Sequence, residues 1–488
     1  MAGLSENVRT YGSNRTWQIQ SNIITSQPGA ISRSIAVITF AALLASTVAL
    51  NAFKIGGFPI RGIVAAGILV LAIIFYVEEA KLALERNLAL VGLAAGLAIL
   101  GVLVSLVNGA EAGAIIRSVT EVHIQAVITL MVAAILAQVA GARACVIAIV
   151  AVIGISACFA VAQMLDISSA WAVRRALGPL SNEAIEGLDF GARRHTGLSY
   201  SAIQLATQLC LAFAAFIAVR DKIRPSIVGK KSADPVVIIA LLALFAASIA
   251  CATRSPILGG LIFLAAYAMQ RRTSWLPLFL ILAAILCYMA WPLLMDAVQS
   301  NAPRVTQTDD NSAEARGTLV YYGLRLFADN PVGYGLTFAP MTLWSSYWPD
   351  LYTMPAPQGV RENDLHNYVV SMLNIYGIGI LLLVPIIARL LRRAGASLIF
   401  FVPYMVHILF HNSGPFYNDN VIWFVIAAIA AANTASVPSG YAAVSSTARR
   451  SRSLPRLGAR FATPPGGRRR PSTRCPARKL KRDSHQDQ

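Results

Sequence analysis

Arginines at the ends of apolar segments are the first residues whose type and position in this sequence suggest chemistry. Arg193 and Arg194 precede one apolar segment in GARRHTGLSYSAIQLA, and Arg254 separates two others in CATRSPILGG. The planar guanidinium group presents a fork of donors that matches phosphate oxygens. Two such groups that converge would suit a diphosphate. The alternative for each arginine taken alone is an interfacial side chain that reaches lipid headgroups, or an intramembrane ion pair.

A histidine flanked by carboxylates forms the second candidate group. The segment ENDLHNYVVSMLNIYGIGILLL places Glu362, Asp364 and His366 immediately before an apolar run. A histidine in this setting can act as a general base or orient an acceptor hydroxyl. The alternative is a helix N-cap formed by Asn363 or Asp364.

The remaining histidines are weaker candidates than His366. His407 lies inside an apolar segment and is expected to be a packed, hydrogen-bonded residue. The spacing of His, Cys, Asp and Glu residues nowhere has the specificity of a metal site, so we expect no metal and no cofactor.

The elements that must hold these residues are membrane-spanning helices. The chain has 488 residues, of which 56% are hydrophobic and 13% charged, with a mean hydropathy of +0.60. That charged share is about half of the roughly 25% usual for soluble domains. A span needs about 20 mostly apolar residues, and we predict twelve: 34–53, 60–77, 87–107, 123–140, 143–165, 199–219, 235–252, 255–270, 274–296, 367–388, 396–411 and 419–436.

The distribution of basic residues predicts the orientation of these spans. The net charge of +18 is not distributed like a nucleic-acid footprint. Residues 437–488 hold 13 Lys/Arg and 2 Asp, and the other 436 residues carry a net charge of only +7, mostly in short clusters between apolar runs. If the N-terminus is cytoplasmic, the short cytoplasmic linkers hold thirteen Lys/Arg and the short outer linkers hold four. Cytoplasmic loops favour basic residues. We therefore expect both termini in the cytoplasm, with the candidate arginines and His366 on the outer face.

This orientation divides the chain into three parts and two long outer loops. The parts are a cytoplasmic N-terminal segment (1–33), a transmembrane domain (34–436) and a basic, disordered cytoplasmic tail (437–488). The loops are 166–199 and 297–366. Loops of this length usually carry function.

The second long loop contains a predicted amphipathic helix and a tight turn. The helix is expected over 313–328, on the membrane surface or capping the bundle, with the apolar face Leu319, Tyr322, Leu326 and Phe327. Gly333 and Gly335 then predict a tight turn after Asn330-Pro331.

The ordered set of motifs resembles the bacterial O-antigen ligase and polymerase superfamily, which includes exopolysaccharide polymerases. The motifs are RRHTG before a span, TRS between two short spans, RGT followed by FADNPVGYGLTF, and LHNYVVSMLNIYGIGILLL leading into a span, and the resemblance covers about residues 190–390. It implies an all-α, polytopic inner-membrane helical bundle of about 12 transmembrane helices. The bundle would be GT-C-like, with a large periplasmic loop between spans 9 and 10.

The resemblance also implies a reaction and roles for individual residues. Such proteins are metal-independent, inverting glycosyltransferases of lipopolysaccharide biosynthesis that act on the periplasmic face. By resemblance, the donor diphosphate would be held by Arg193, Arg194, Arg254 and Arg316. His366 would contact or activate the acceptor, with Glu362 or Asp364 as a possible assistant, and Arg254 would also serve the chemical step.

The sequence departs from the family pattern at three places. The family often has Ser-Arg-Gly where this chain has Thr253-Arg254-Ser255. A small-polar and Asn-Pro run is usual where this chain has 198–201, and a Trp is common where Tyr321 and Tyr322 stand.

Three functions remain open at this stage. The first is an O-antigen ligase that moves a glycan from undecaprenyl diphosphate to lipid A–core, with a polymerase that joins lipid-linked repeats as its close alternative. The second is a transporter or flippase of lipid-linked glycan. The third is a structural membrane subunit. For the enzyme, the expected partners are the undecaprenyl-diphosphate-linked glycan, a sugar acceptor such as lipid A–core or a lipid-linked repeat, and membrane lipids, with no nucleic acid.

Overall fold

The computed structural model describes residues 29–51, 53–55, 58–179, 194–223, 235–271, 311–417 and 419–435, which all belong to one compact unit. The predicted ninth span, the predicted tail and Arg193 lie outside the described residues.

The described residues up to 223 form a succession of helices and one short hairpin. The helices are α1 Ala30–Ala49, α2 Ile60–Phe75, α3 Val77–Val107, α4 Ala112–Val119, α5 Gln125–Ala140, α6 Ala142–Met164, α7 Ser168–Ala176 and α8 Ala202–Ile223. A π-helical turn, Thr120–Ile124, joins α4 to α5. The hairpin pairs β1 Lys54–Ile55 with β2 Phe58–Pro59 in antiparallel register.

The second part is also helical and contains most of the long loop predicted at 297–366. Its helices are α9 Pro235–Ala250, α10 Ser255–Arg271, α11 Asn311–Asp329, α12 Trp344–Leu351, α13 Gly359–Glu362, α14 Tyr368–Tyr376, α15 Val384–Ala394, α16 Val402–Leu409 and α17 Val421–Ala435. In the described part of the chain, 3₁₀ segments occur at Pro340–Thr342, Gly377–Leu383 and Gly395–Phe401.

Six helical segments of the described residues are long and apolar enough to cross a membrane. They are Ala30–Ala49, Val77–Val107, Ala112–Ala140, Ala142–Met164, Ala202–Arg220 and Tyr368–Arg392. Shorter apolar helices occur at Ile60–Phe75, Pro235–Ala250, Ser255–Met269, Leu398–Leu409 and Val421–Ala432. The predicted all-α, polytopic class is thereby confirmed. These segments coincide with every predicted span except the ninth, while the number that actually cross a membrane stays a prediction.

The core of the bundle lies around α5, which contacts α1, α2, α3 and α17. Its alanines Ala133, Ala134 and Ala137 are almost completely buried. Small side chains let helix backbones approach closely, which is how helices associate in an apolar solvent.

The packing of α10 against α16 positions the later site. A Cβ atom on Gly259 would lie 2.7 Å from Cα of Pro403, so only glycine permits this approach. As a result, the N-terminal end of α10 lies against the last turn of α16.

The predicted helix of the outer loop is confirmed and slightly longer than expected. It spans Asn311–Asp329, and Leu319, Tyr322 and Leu326 of its predicted apolar face are fully buried. These side chains form a second core with residues of α12, α13 and α14, namely Leu351, Val360 and Val370, together with Leu365. Residues 311–366 of the loop therefore form a packed unit fixed to α14.

The predicted glycine turn is also confirmed. Gly333 and Gly335 have φ of +93° and +84°, conformations that favour glycine. The N–H groups of Tyr334 and Gly335 donate to the carbonyls of Asn374 and Ile375 at 2.7 and 3.0 Å. The turn therefore fastens the loop to α14.

Candidate active site

Four of the residues singled out from the sequence line one cavity of about 530 Å³: Arg194, Arg254, Arg316 and His366. The other residues of its wall are Ala252, Thr253, Ser255, Leu258, Gly317, Val320, Asn367, Leu409, Phe410 and His411. The four residues come from four separate segments of the chain, so the cavity exists only in the folded protein.

Arg194 lies in a loop that α6 holds by side-chain hydrogen bonds. The Gln163 side-chain oxygen accepts from the backbone N–H groups of Thr196 and Gly197 at 3.0 and 2.9 Å. Gly197 has a φ of +59°, and a Cβ atom there would overlap the carbonyl oxygen of Ser156. The glycine of RRHTG is therefore required by close approach to α6, and Arg194 itself is buried.

Two further hydrogen bonds tie this loop to its neighbours. Arg174 of α7 is buried and donates from Nε to the Ser199 carbonyl at 2.7 Å. His195 Nδ1 lies 2.7 Å from the Ala250 carbonyl at the end of α9. Because a carbonyl oxygen only accepts, Nδ1 carries the hydrogen. The His195 bond links the turn that bears Arg194 to the turn that bears Arg254.

The turn that bears Arg254 is a Schellman motif at the end of α9. The Thr253 N–H donates to the Ser248 carbonyl at 3.0 Å and the Ala252 N–H donates to the Ile249 carbonyl at 2.9 Å. Ala252 occupies the left-handed position with a φ of +52°, where glycine is usual. The tight turn places the exposed Arg254 directly before α10.

Arg316 lies near the start of α11, and the packing of that helix fixes its position. The hydroxyl of Thr318 donates to the Pro355 carbonyl, which anchors the same helical turn. Gly317 adds no side chain to the cavity wall, and nothing lies within 4 Å of where its Cβ would be.

His366 immediately precedes the residue that caps α14. Asn367 is the N-cap: its side-chain oxygen accepts from the Val370 N–H at 3.1 Å. Its side-chain nitrogen donates to the Leu409 carbonyl at 2.8 Å. The same residue therefore starts α14 and fixes it to the end of α16.

The predicted cap by Asn363 or Asp364 is wrong. Asn363 ends α13 instead, and its side-chain nitrogen donates to the Gly359 carbonyl at 3.0 Å. Asp364 is half-buried, and burial raises the pKa of its carboxyl above the ordinary value. Neither Asp364 nor the exposed Glu362 is among the residues that line the cavity. The two carboxylates are neighbours of His366 in sequence and do not share its cavity.

The cavity also contains residues that the sequence did not single out. His411 and Ser255 lie in its wall, and Ser255 Oγ lies 3.2 Å from His411 Nε2. The same oxygen lies 2.8 Å from Nδ1 of His407. His407 is fully buried and hydrogen-bonded, which confirms its predicted packed role.

The charge of this wall is of one sign. Three arginines meet two histidines, and among the described residues that line the cavity there is no Asp or Glu. Guanidinium groups held by packed turns are suited to bind and stabilise an anion of high charge density.

A comparison with models of protein families finds a match in the middle of the chain. Residues 236–385 match the family model described as O-antigen ligase. The match includes Arg254, Arg316 and His366, and it ends before His411. No curated protein matches the chain.

Proposed function

We infer from the match of residues 236–385 to the family model described as O-antigen ligase that this chain is a multi-pass membrane enzyme of the ligase and polymerase type in polysaccharide assembly. We propose that it transfers a glycan from undecaprenyl diphosphate to a sugar hydroxyl of lipid A–core. The reaction takes place on the periplasmic face of the bacterial inner membrane, with both termini of the protein in the cytoplasm. It is metal-independent and inverts the anomeric carbon.

The observation that carries this proposal is the meeting of Arg194, Arg254, Arg316 and His366 in one cavity. When the glycosidic bond to the carrier breaks, negative charge develops on the departing diphosphate. Fixed guanidinium groups stabilise that charge without reorganisation in a site that excludes water. Arg193, next to Arg194 in sequence, belongs to the same proposed donor set.

His366 supplies the acceptor side of the proposed reaction. It stands beside the capped start of α14, and a ring held there can contact the attacking hydroxyl. The donor carries its own leaving group, so the transfer needs no nucleotide.

A polymerase would use the same cavity, because its donor is also a glycan on a lipid diphosphate. A flippase would need a path through the bundle. The grouping of the arginines and His366 at helix ends and in the outer loop favours transfer chemistry instead.

The test is the length of the glycan that accumulates on undecaprenyl diphosphate in a deletion strain. Long polymer on the carrier supports the ligase. Single repeats on the carrier support the polymerase. Complementation with Arg254→Ala and with His366→Ala then tests the chemistry, and full transfer by both variants in folded form would refute an enzymatic role for this cavity.

A binding measurement tests the donor site directly. Inorganic diphosphate should bind to the purified full-length protein and bind less tightly to Arg254→Ala. The matched control is Arg325→Ala, because Arg325 lies on α11 with Arg316 and is half-exposed, 3.8 Å from the Asp350 carboxylate. Equal diphosphate affinity in the two variants would argue against a diphosphate site at Arg254.

A further inference from the structure

A second cavity lies between α6 and α8, and its walls are mostly apolar. Its volume is about 500 Å³, within the range of about 300–1,000 Å³ that is usual for ligand sites. Val146 of α6 and Val219 of α8 are buried side chains of its wall. Ile147 and Val150 are 59% and 41% exposed, so the cavity is open to the outside of the bundle. We call it the α6–α8 groove.

Two arginines are the charged side chains among the described residues that line the α6–α8 groove. Arg143 lies in the first turn of α6, and Arg220 lies in the last turn of α8. No Asp or Glu is among those lining residues. The sequence that follows α8's last lining residue is also net basic, because residues 220–224 read RDKIR. The groove is therefore positively charged where the two arginines lie.

The charge is confined to one end of the groove. Along α6 the lining residues run from Arg143 to Ala151, and along α8 they run from Arg220 back to Phe216. The stretch from Arg143 to Ala151 is about 12 Å long at the rise of an α-helix. One leaflet of the hydrocarbon core is about 15 Å deep. The apolar walls therefore extend from the arginines across most of one leaflet.

The groove and the arginine cavity lie at opposite ends of α6. Gln163, in the last turn of α6, accepts hydrogen bonds from the loop that bears Arg194, whereas Arg143 is in the first turn. These two positions are about 30 Å apart along the helix, which matches the hydrocarbon core of a bilayer. The groove therefore faces the leaflet opposite to the arginine cavity, which is the cytoplasmic leaflet in the orientation proposed above.

An arginine at the end of a span can reach lipid headgroups without any specific site. That explanation accounts for one side chain and requires no cavity beside it. Arg143 and Arg220 instead come from different helices and border the same apolar groove. Basic pockets between membrane helices bind the headgroups of anionic lipids. A basic end joined to apolar walls fits a molecule that has an anionic head and an apolar tail.

We propose that the α6–α8 groove is a binding site for one anionic phospholipid of the leaflet opposite to the arginine cavity. The phosphate lies between Arg143 and Arg220, whose guanidinium groups match phosphate oxygens. An acyl chain lies along the walls that Val150 and Phe216 provide. The lipid contacts both α6 and α8, so it stabilises the two helices against each other. This site is separate from the proposed donor site and does not depend on the transfer reaction.

Lipid binding to the purified full-length protein in detergent tests the site. The probes are phosphatidylglycerol, which is anionic, and phosphatidylcholine with the same acyl chains, which has no net charge. A ligand that binds only the folded state raises Tm, so phosphatidylglycerol should raise Tm more than phosphatidylcholine does. Titration followed by native mass spectrometry measures the affinity for each lipid.

The arginine variants should lower the affinity for phosphatidylglycerol. Each basic residue near an anionic lipid headgroup strengthens binding about 5-fold. Arg143→Gln should therefore weaken binding about 5-fold, and the double variant with Arg220→Gln about 25-fold. Arg143→Lys keeps the charge and should keep most of the affinity. The matched control is Arg389→Gln, because Arg389 is exposed on α15 and does not line the groove. All variants keep the basic residues of 437–488, so the attraction of that segment to lipid is the same in each.

A change in the shape of the groove tests its apolar part independently of charge. Ala151→Phe adds a ring where a small side chain borders the groove. It should abolish the rise in Tm that is specific to phosphatidylglycerol. The matched control Ile155→Phe places a ring on the exposed surface of α6, outside the lining residues, and should leave that rise unchanged. The Tm without added lipid checks that both variants are folded.

Three results would overturn the proposed site. The first is an equal rise in Tm with both lipids, which would exclude recognition of an anionic head. The second is a double arginine variant that binds phosphatidylglycerol no less tightly than Arg389→Gln does. The third is wild-type binding by Ala151→Phe, which would exclude the groove. None of these measurements needs glycan transfer, so failure of the lipid site leaves the proposed function standing, and failure of transfer leaves the lipid site standing.

Discussion

Both the glycine turn at 333–335 and the cavity lined by Arg194, Arg254 and Arg316 contain residues that the sequence singles out, yet the two regions have different roles in the structure. In the turn, backbone N–H groups bond to carbonyls of α14, and the Leu336 N–H bonds to the Ser105 hydroxyl of α3 at 2.7 Å. Its polar groups are used to join one element to another. In the cavity, charges of one sign converge on open space. A tight turn whose polar groups bond within the protein is scaffold, whereas like charges gathered around a cavity indicate a ligand.

The largest effect is expected from a substitution in the cavity, which should lower activity and leave the fold intact. Arg254→Ala should lower glycan transfer by about 10²–10³-fold, since it removes one fixed donor to the departing charge. Its side chain is exposed, so Tm should stay near that of the wild type. Transfer assays and thermal unfolding in detergent measure the two quantities. A large fall in Tm would mean that Arg254 belongs with the scaffold.

A substitution in the glycine turn should instead lower the stability of the protein and leave glycan transfer unchanged. Gly335→Ala forces a side chain onto a φ of +84° and against Ser105. We expect a loss of about 1–3 kcal/mol in the free energy of unfolding. The control is Gly154→Ala in α6, where nothing lies within 4 Å of the added Cβ. Equal Tm values for the two variants would contradict a scaffolding role for the turn.

A smaller effect is expected from the hydroxyl that receives the turn. Ser105→Ala removes the acceptor of the Leu336 N–H, which should cost about 0.5–1.5 kcal/mol. Combined with Gly335→Ala, the losses should be less than additive, because both changes disturb the same contact. A double-mutant cycle in chemical unfolding measures this, and strict additivity would show that the two residues act independently.

The smallest effect, and the only gain in stability, is expected in the turn that bears Arg254. Ala252→Gly removes the cost of a left-handed alanine, about 1–2 kcal/mol, but adds backbone entropy to the unfolded chain, about 0.5–1 kcal/mol. Tm should therefore rise slightly, and Ala252→Val should lower it. A fall in Tm with glycine would count against the Schellman geometry.

Features encoded within one helix or turn could be predicted from the sequence. The spacing of Leu319, Tyr322 and Leu326 located α11 to within two residues at its start. Gly333 and Gly335 predicted the tight turn, and both have a positive φ. Arg194, Arg254, Arg316 and His366, which the family motifs single out, line one cavity, while their roles stay predictions.

The hydrogen bonds of Ser255 with His407 and His411 could not be predicted in this way. Ser255 and His407 are 152 positions apart and meet because Gly259 lets α10 approach α16. No local pattern records that contact, and Ser255 stands where the family often has glycine. Glu362 and Asp364 are close to His366 in sequence but do not line its cavity, so a role for either carboxylate beside His366 stays a prediction.

The hydrogen bonds that join the start of α14 to the end of α16 and the residues after it bear on which acceptors the proposed site could take. The Tyr368 N–H holds the His411 carbonyl, the Tyr368 hydroxyl donates to the Pro415 carbonyl at 2.6 Å, and its ring packs where a Cβ on Gly414 would lie. These contacts hold the backbone at His366 and the backbone at His411 at a fixed separation. If the cavity binds the proposed sugar acceptor, acceptors of different size would be accommodated by the walls that α11 and the Arg194 loop provide. Substitutions in those two segments are therefore expected to change the sugar preference.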